Sequence, residues 1–191
     1  MAALAHCGGF DPASNGESTR RSDLPTINHS FPLTPRKRKL MRERPAARLL
    51  IFTPEQRILL FRFIHKTGAL AGRDYWATPG GGVEQGESFA DAAKRELHEE
   101  TSILETHLSA PIRESKFPLQ LANGEHVLAI EQYFVVHVET ESISREGWTA
   151  DEVEVMATHR WWSREELATT AETIYPDGLV EMLDDAGVFS A

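Results

Sequence analysis

The chain has 191 residues, 41% hydrophobic and 26% charged, with a formal net charge of −9, which suits one soluble globular domain with room for a sizeable core. No apolar run approaches the ~20 residues of a membrane span, and no charged start leads into an apolar stretch, so neither a spanning segment nor a secretory signal is expected. The lone Cys7 excludes an internal disulfide and a Cys/His metal cluster, and the cytoplasm is the expected compartment.

The charge is unevenly spread. Residues 1–44 carry eight Lys/Arg and four Asp/Glu, a balance of +4, which leaves −13 for the remainder. They are rich in Gly, Ser, Pro, Asn and Arg and show no sustained hydrophobic period, so they are expected to form a poorly ordered N-terminal extension to a domain spanning 45–191. The run Arg36–Lys39 with Arg42 and Arg44 reads as a solvated tail. The acidic body argues against a broad nucleic-acid face, and no specific nucleic-acid partner is expected.

Globular patterning begins near Ala46. Residues 46–52 form an apolar strand-like run, 53–56 supply turn residues, and 57–64 form a second run, together reading as a hairpin. Residues 65–74 read as a loop, and 75–78 as a short aromatic strand stopped by Pro79-Gly80-Gly81-Gly82. The spacing predicts a helix over 88–101. Ser88 is its N-cap, Asp91 lies in the first turn, and Phe89, Ala92, Ala93, Leu97 and Glu100 fall on one side. Further on, 126–138 reads as a long strand, 157–162 as a last strand, 163–166 as a capping box opening a helix, and 177–185 as a short helix. Strands interleaved with helices point to an α/β or α+β sandwich.

The chemistry lies in Gly81–Ile103, GGVEQGESFADAAKRELHEETSI. Glu96 and Glu100 are four apart and share a helix face, with Glu99 close to it. Such carboxylates repel unless a cation neutralises them, and oxygen-only ligands favour Mg²⁺ or Mn²⁺, ions that keep waters and are readily shared with phosphates. The glycines at 80–82 let backbone approach closely and can present N–H groups to anions. Other phosphate and hydrolase motifs fail. Gln85 stands where Gly-x-Gly-x-x-Gly needs glycine, no Gly-Lys-Ser/Thr follows, and His-Glu-x-x-His and Gly-x-Ser-x-Gly are absent.

The same residues resemble the Nudix box, G-x5-E-x7-R-E-U-x-E-E-x-G-U, through Gly81, Glu87, Arg95-Glu96-Leu97, Glu99-Glu100 and Ile103. The departure is Ser102, where the family has glycine, at a cost of about 1 kcal/mol if the helix ends in a left-handed residue. Trp76–Gly81 and Arg160–Leu167 also look like family features, and the likeness extends over roughly 45–186. The resemblance implies a Nudix-like α/β/α sandwich around a mixed β-sheet. It further implies a metal-dependent hydrolase that cleaves a phosphoanhydride bond in a nucleoside diphosphate derivative with an activated water. Carried over by residue, Glu96, Glu99 and Glu100 match metal ligands. Glu96 or Glu99 matches the group that orients or deprotonates the water, Arg95 a motif salt bridge, and Glu87 a structural carboxylate. A further acidic ligand often comes from a distant loop, for which Glu152 and Glu154 are the candidates. Gly81, Gly82, Arg73 and Glu131 are candidates for the substrate side, with loops 65–75 and 113–125 shaping the pocket. Tyr75 or Trp76 is a candidate to stack on a base, and Pro118 is a weak pointer to ADP-ribose-type members. A small-molecule nucleotide is the implied partner, and a homodimer is expected by analogy alone. The competing reading is a Nudix-fold nucleotide sensor without catalysis. An isoprenoid diphosphate isomerase would need a reactive cysteine in the pocket, and Cys7 lies outside the expected fold.

Overall fold

The computed structural model describes residues 41–104 and 107–189, without the side chains of 150–152. The chain divides into Met1–Arg38 and Lys39–Ala191, and every described residue belongs to the second unit. Residues 1–40 of the expected extension lie outside the described part. Its last residues do not, because the first strand, β1, runs Arg42–Phe52 and opens before the expected boundary at 45.

The other strands are β2 (Ile58–Ile64), β3 (Asp74–Ala77), β4 (Arg113–Gln120), β5 (His126–His137), β6 (Met156–Trp162) and β7 (Ile174–Tyr175). The helices are α1 (Phe89–Thr101), α2 (Ala150–Val155), α3 (Arg164–Thr169) and α4 (Leu179–Asp185). The seven strands form one mixed sheet in the order β4-β5-β1-β2-β3-β7, with β6 also on β2. β1 lies parallel to β5 along its whole length, β7 lies parallel to β3, and the other pairs are antiparallel.

Alternating side chains divide β1 between two cores, because successive residues in a strand point to opposite faces. Leu49 and Ile51 join Leu59, Phe61, Phe134 and Val136 on the face covered by Ala92, Ala93 and Leu97 of α1. Leu50 and Phe52 join Ile58, Leu60, Tyr133 and Trp162 on the opposite face, covered by Leu167 of α3 and Leu179, Met182 and Leu183 of α4. The result is an α+β fold, a mixed sheet with helices on both faces.

The expected hairpin is real only at its turn, where Phe52 pairs with Ile58. β6 pairs along β2 from Ile58 to Phe63, so β1 and β3 must share the other edge of β2 and diverge from it. The chain leaving β3 fills the fork. It returns along β1 with Leu49 N donating to Pro79 O, Ala47 N to Gly81 O and Val83 N to Pro45 O, at 2.9, 2.9 and 3.0 Å. This pairing presses the glycine segment between β1 and α1.

Candidate active site

Helix α1 starts as its sequence dictates. The Ser88 side chain accepts from Asp91 N, and Asp91 places a negative charge at the positive end of the helix. It ends at Ser102, which adopts the left-handed conformation (φ 62°, ψ 16°) and donates its N–H to His98 O. The apolar side of α1 is pinned to the sheet, so Glu96 and Glu100, one turn apart, are carried into the interface with the glycine loop. Both are buried, 7% and 4% exposed, an uncommon state for glutamate.

Two of the glycines sit in close contact with their surroundings, Gly80 with backbone and Gly81 with a side chain. A first side-chain carbon at Gly81 would collide with the Glu96 carboxylate, and one at Gly80 (φ 121°) would collide with Ala47 O. Gly80 N donates to Glu100 Oε2 at 2.7 Å, a charge-assisted bond from loop backbone to helix carboxylate. Arg95 ties the remaining groups together. Its Nε donates to Glu87 Oε1 (3.0 Å), its Nη1 to Glu96 Oε1 (2.8 Å) and Glu99 Oε2 (2.9 Å), and its Nη2 to Gly82 O (2.8 Å). These bonds, that to Glu87 foremost, raise the guanidinium pKa above its ordinary value. The Arg95 bonds, then the Glu84 amide, hold the Glu87 carboxyl below the usual carboxylate range. One guanidinium faces three carboxylates here, with Glu100 beside them, so the cluster stays net negative.

The donor set suits a hard divalent cation. It offers carboxylate and backbone oxygens and no sulfur, and magnesium is commonly held by one or two carboxylates together with water and substrate phosphates. Among the described residues, no three His, Cys, Asp or Glu side chains are gathered into a metal shell. Glu99 is turned outward, 46% exposed, and bonded to Arg95, whereas Glu96 and Glu100 lie beneath the loop.

Other predicted residues lie elsewhere. Glu131 is buried on β5, where Oε1 accepts from Arg48 Nε at 2.8 Å and Oε2 from the Tyr133 hydroxyl at 2.6 Å. Arg48 also donates to Gly80 O at 2.9 Å, so Glu131 reaches the glycine loop through Arg48. Arg73 is exposed in the loop before β3, where its charge acts on His65 and Tyr75. Trp76 is buried edge-on against Trp162 and presents no open face for a base. Tyr75 is half-buried between Phe63 and His65. Pro118 pairs with Leu128 in the sheet-edge strand β4, so part of the 113–125 segment expected as a loop is strand. Glu152 and Glu154 fall in α2. The Glu152 side chain is outside the described residues, and Glu154 is exposed at a cavity of about 320 Å³ also lined by Lys66, Arg145 and Trp148.

Three contributors to the site are absent from the motif. Arg44 and Arg48 come from β1, where charged residues two or four apart in an apolar strand were the available signal. Trp148 comes from the segment before α2, and its indole N–H donates to Glu100 O at 2.8 Å.

A mixed sheet bearing a glycine loop over a glutamate-rich helix defines an α+β domain of the loop–helix–loop kind. The chain belongs to the Nudix family: the NUDIX domain model matches residues 42–182. No curated protein matches it. Among solved structures it is similar to a MutT protein from Methanosarcina mazei Go1, with 19% identity, a TM-score of 0.58, and coverage of 78% of this chain and 95% of that one. It is also similar to a mutT/nudix family protein from Listeria innocua, with 22% identity, a TM-score of 0.54, and coverage of 76% and 94%. A third is the NUDIX domain of Shewanella oneidensis NrtR, solved with ADP ribose, with 16% identity, a TM-score of 0.53, and coverage of 79% and 91%. At these identities the likeness shows the fold. Among the described residues, no helix is long and apolar enough to cross a membrane.

Proposed function

We propose that this chain is a Mg²⁺- or Mn²⁺-dependent hydrolase that cleaves the phosphoanhydride bond of a nucleoside diphosphate derivative with water. The observation that carries the reading is the pair of buried carboxylates, Glu96 and Glu100, held under a glycine loop and braced by Arg95. Glu96 and Glu100 would hold the ion from one helix face, with Glu99 a further ligand from its exposed position. When bound, the ion acidifies a water and screens phosphate charge. On this reading Glu96 or Glu99 would orient the attacking water and take its proton, and Arg95, bonded to both, would position them. Gly81 and Gly82 would give the substrate close access to backbone, Glu131 supports the loop through Arg48, Arg73 would meet the substrate only from the loop before β3, and Glu152 or Glu154 would add a carboxylate from α2. The small-molecule partner is a nucleotide, the compartment the cytoplasm, and the assembly a homodimer. The extension ends before β1, which opens the catalytic unit at Arg42.

The test is turnover. The purified chain is screened against nucleoside triphosphates, ADP-ribose, nucleotide sugars and dinucleoside polyphosphates, with and without Mg²⁺, by product analysis. Metal-dependent cleavage of one class is expected, with at least about a 100-fold loss in Glu100→Gln, in line with removing a group that stabilises transition-state charge. Wild-type turnover by Glu100→Gln would defeat the assignment. A second reading, nucleotide binding without cleavage, draws on Arg95's hold on Glu96 and Glu99 and on the likeness to the NrtR NUDIX domain solved with ADP ribose. It predicts tight binding of one panel member with no product.

A further inference from the structure

β1 carries three arginines on one face, residues 42, 44 and 48. Two are committed. Arg42 makes paired bonds to Glu125 at 2.9 and 2.8 Å, and Arg48 is bound to Glu131 and Gly80 O. Arg44 is different. It is half-buried, and among the described residues its guanidinium has no hydrogen-bonding or ion-pairing partner. It lies over the glycine loop, where a first side-chain carbon at Gly82 would come 3.5 Å from its Nη2. On the adjacent residue, Gly81, the corresponding position is taken by the Glu96 carboxylate. Two consecutive glycines thus carry a buried carboxylate against one and an uncommitted guanidinium against the other.

Holding a guanidinium half out of water with no anion bonded to it among the described residues is costly, and its planar fork of N–H donors is shaped for two oxygens of one phosphate. Burial, then the charge of Arg48, lowers its pKa from the ordinary guanidinium value, while Glu131 and Glu96 offset part of this. Arg48 is less suited to the role, because Glu131 already neutralises its charge and Gly80 O holds its Nη1. Arg73, the sequence candidate for phosphate, sits by His65 and Tyr75.

We propose that Arg44 is the chain's own anchor for a phosphate group of the substrate, gripping its non-bridging oxygens on the Gly82 side of the loop. The proposal rests on the hydrolase reading for the identity of the ligand, and it assigns phosphate binding to a residue outside the motif.

The test is calorimetric titration of inorganic pyrophosphate, at fixed Mg²⁺, into the full chain, its Arg44→Gln and Arg44→Lys variants, and Arg62→Gln as a control. Arg62 is half-buried on β2 and paired with Asp74, so its loss removes one positive charge away from the loop. Arg44→Gln is expected to weaken pyrophosphate at least about tenfold, with Arg44→Lys intermediate and Arg62→Gln unchanged. Titration of Mg²⁺ alone is expected to match wild type in every variant, which a damaged fold would not allow. Unchanged affinity in Arg44→Gln, an equal loss in Arg62→Gln, or no pyrophosphate binding by wild type would each overturn the proposal. None of these bears on the hydrolase reading, which fails instead by absence of metal-dependent turnover, an outcome that leaves the pyrophosphate titration fully readable.

Discussion

Ser102 is where this chain departs from the Nudix motif, and its backbone explains why the family uses glycine there. At φ 62° an L-residue with a Cβ is strained, and glycine adopts the same angle freely. Ser102→Gly is therefore expected to stabilise the fold by up to about 1 kcal/mol, raising the thermal midpoint by about 2–4 °C. Turnover should stay at the wild-type level, because residue 102 follows the helix and its backbone bonds to His98, on the face away from the buried glutamates. Thermal unfolding followed by circular dichroism reads the change. A midpoint that stays put or falls would show that the serine side chain contributes more than the strain costs.

At the scale of elements, the end of α1 is completed by the segment before α2. The last carbonyls of a helix lack intrahelical partners. Here Trp148 Nε1 donates to Glu100 O and Ser144 N to Thr101 O at 2.8 and 3.0 Å, while the Trp148 ring stands edge-on to Phe61. Any side chain at Gly147 would strike Glu99 O. Trp148→Phe keeps the ring and loses the donor, so it should cost about 1–3 kcal/mol for the carbonyl left unsatisfied. Gly147→Ala should displace the turn that carries Glu99 and Glu100 and weaken Mn²⁺ binding, read by titration beside urea unfolding. Wild-type stability and metal affinity in both variants would show that the segment merely rests on α1. None of this was legible in the sequence, because the cap comes from more than forty residues downstream. What was legible is local: the Ser88 cap and one-sided spacing gave α1, and the apolar runs gave β1, β2, β5 and β6. β4 hid behind Pro118 and an exposed, polar composition, which an edge strand tolerates. α2 hid in an acidic stretch with no apolar stripe.

At the scale of the whole molecule, the site depends on pairings that no local pattern encodes. The parallel register of β1 with β5 brings Arg48 and Glu131 together, and the fork between β1 and β3 makes room for the glycine loop. The motif named the glutamates, but their burial and Arg44's position follow from this topology. The elements are also tied by carboxylates whose pKa values lie below their ordinary range. Arg95 does this to Glu87, Arg62 to Asp74 across β2 and β3, Arg164 to Asp184 across α3 and α4, and the Ser163 amide to Glu166 at the α3 cap. A depressed folded-state pKa contributes stability that is present above the unfolded value and lost as pH falls through the folded one. The thermal midpoint, measured in chelator to remove metal, should therefore hold from neutral pH down to about 5 and then fall through the carboxylate range near 4 and below. Added salt should reduce the drop, since the Asp74, Glu166 and Asp184 pairs are partly exposed and screened, whereas the more buried Arg95–Glu87 pair responds less. A midpoint that is flat from pH 6 to pH 3 would mean that these ties join the elements in geometry without holding them together in energy.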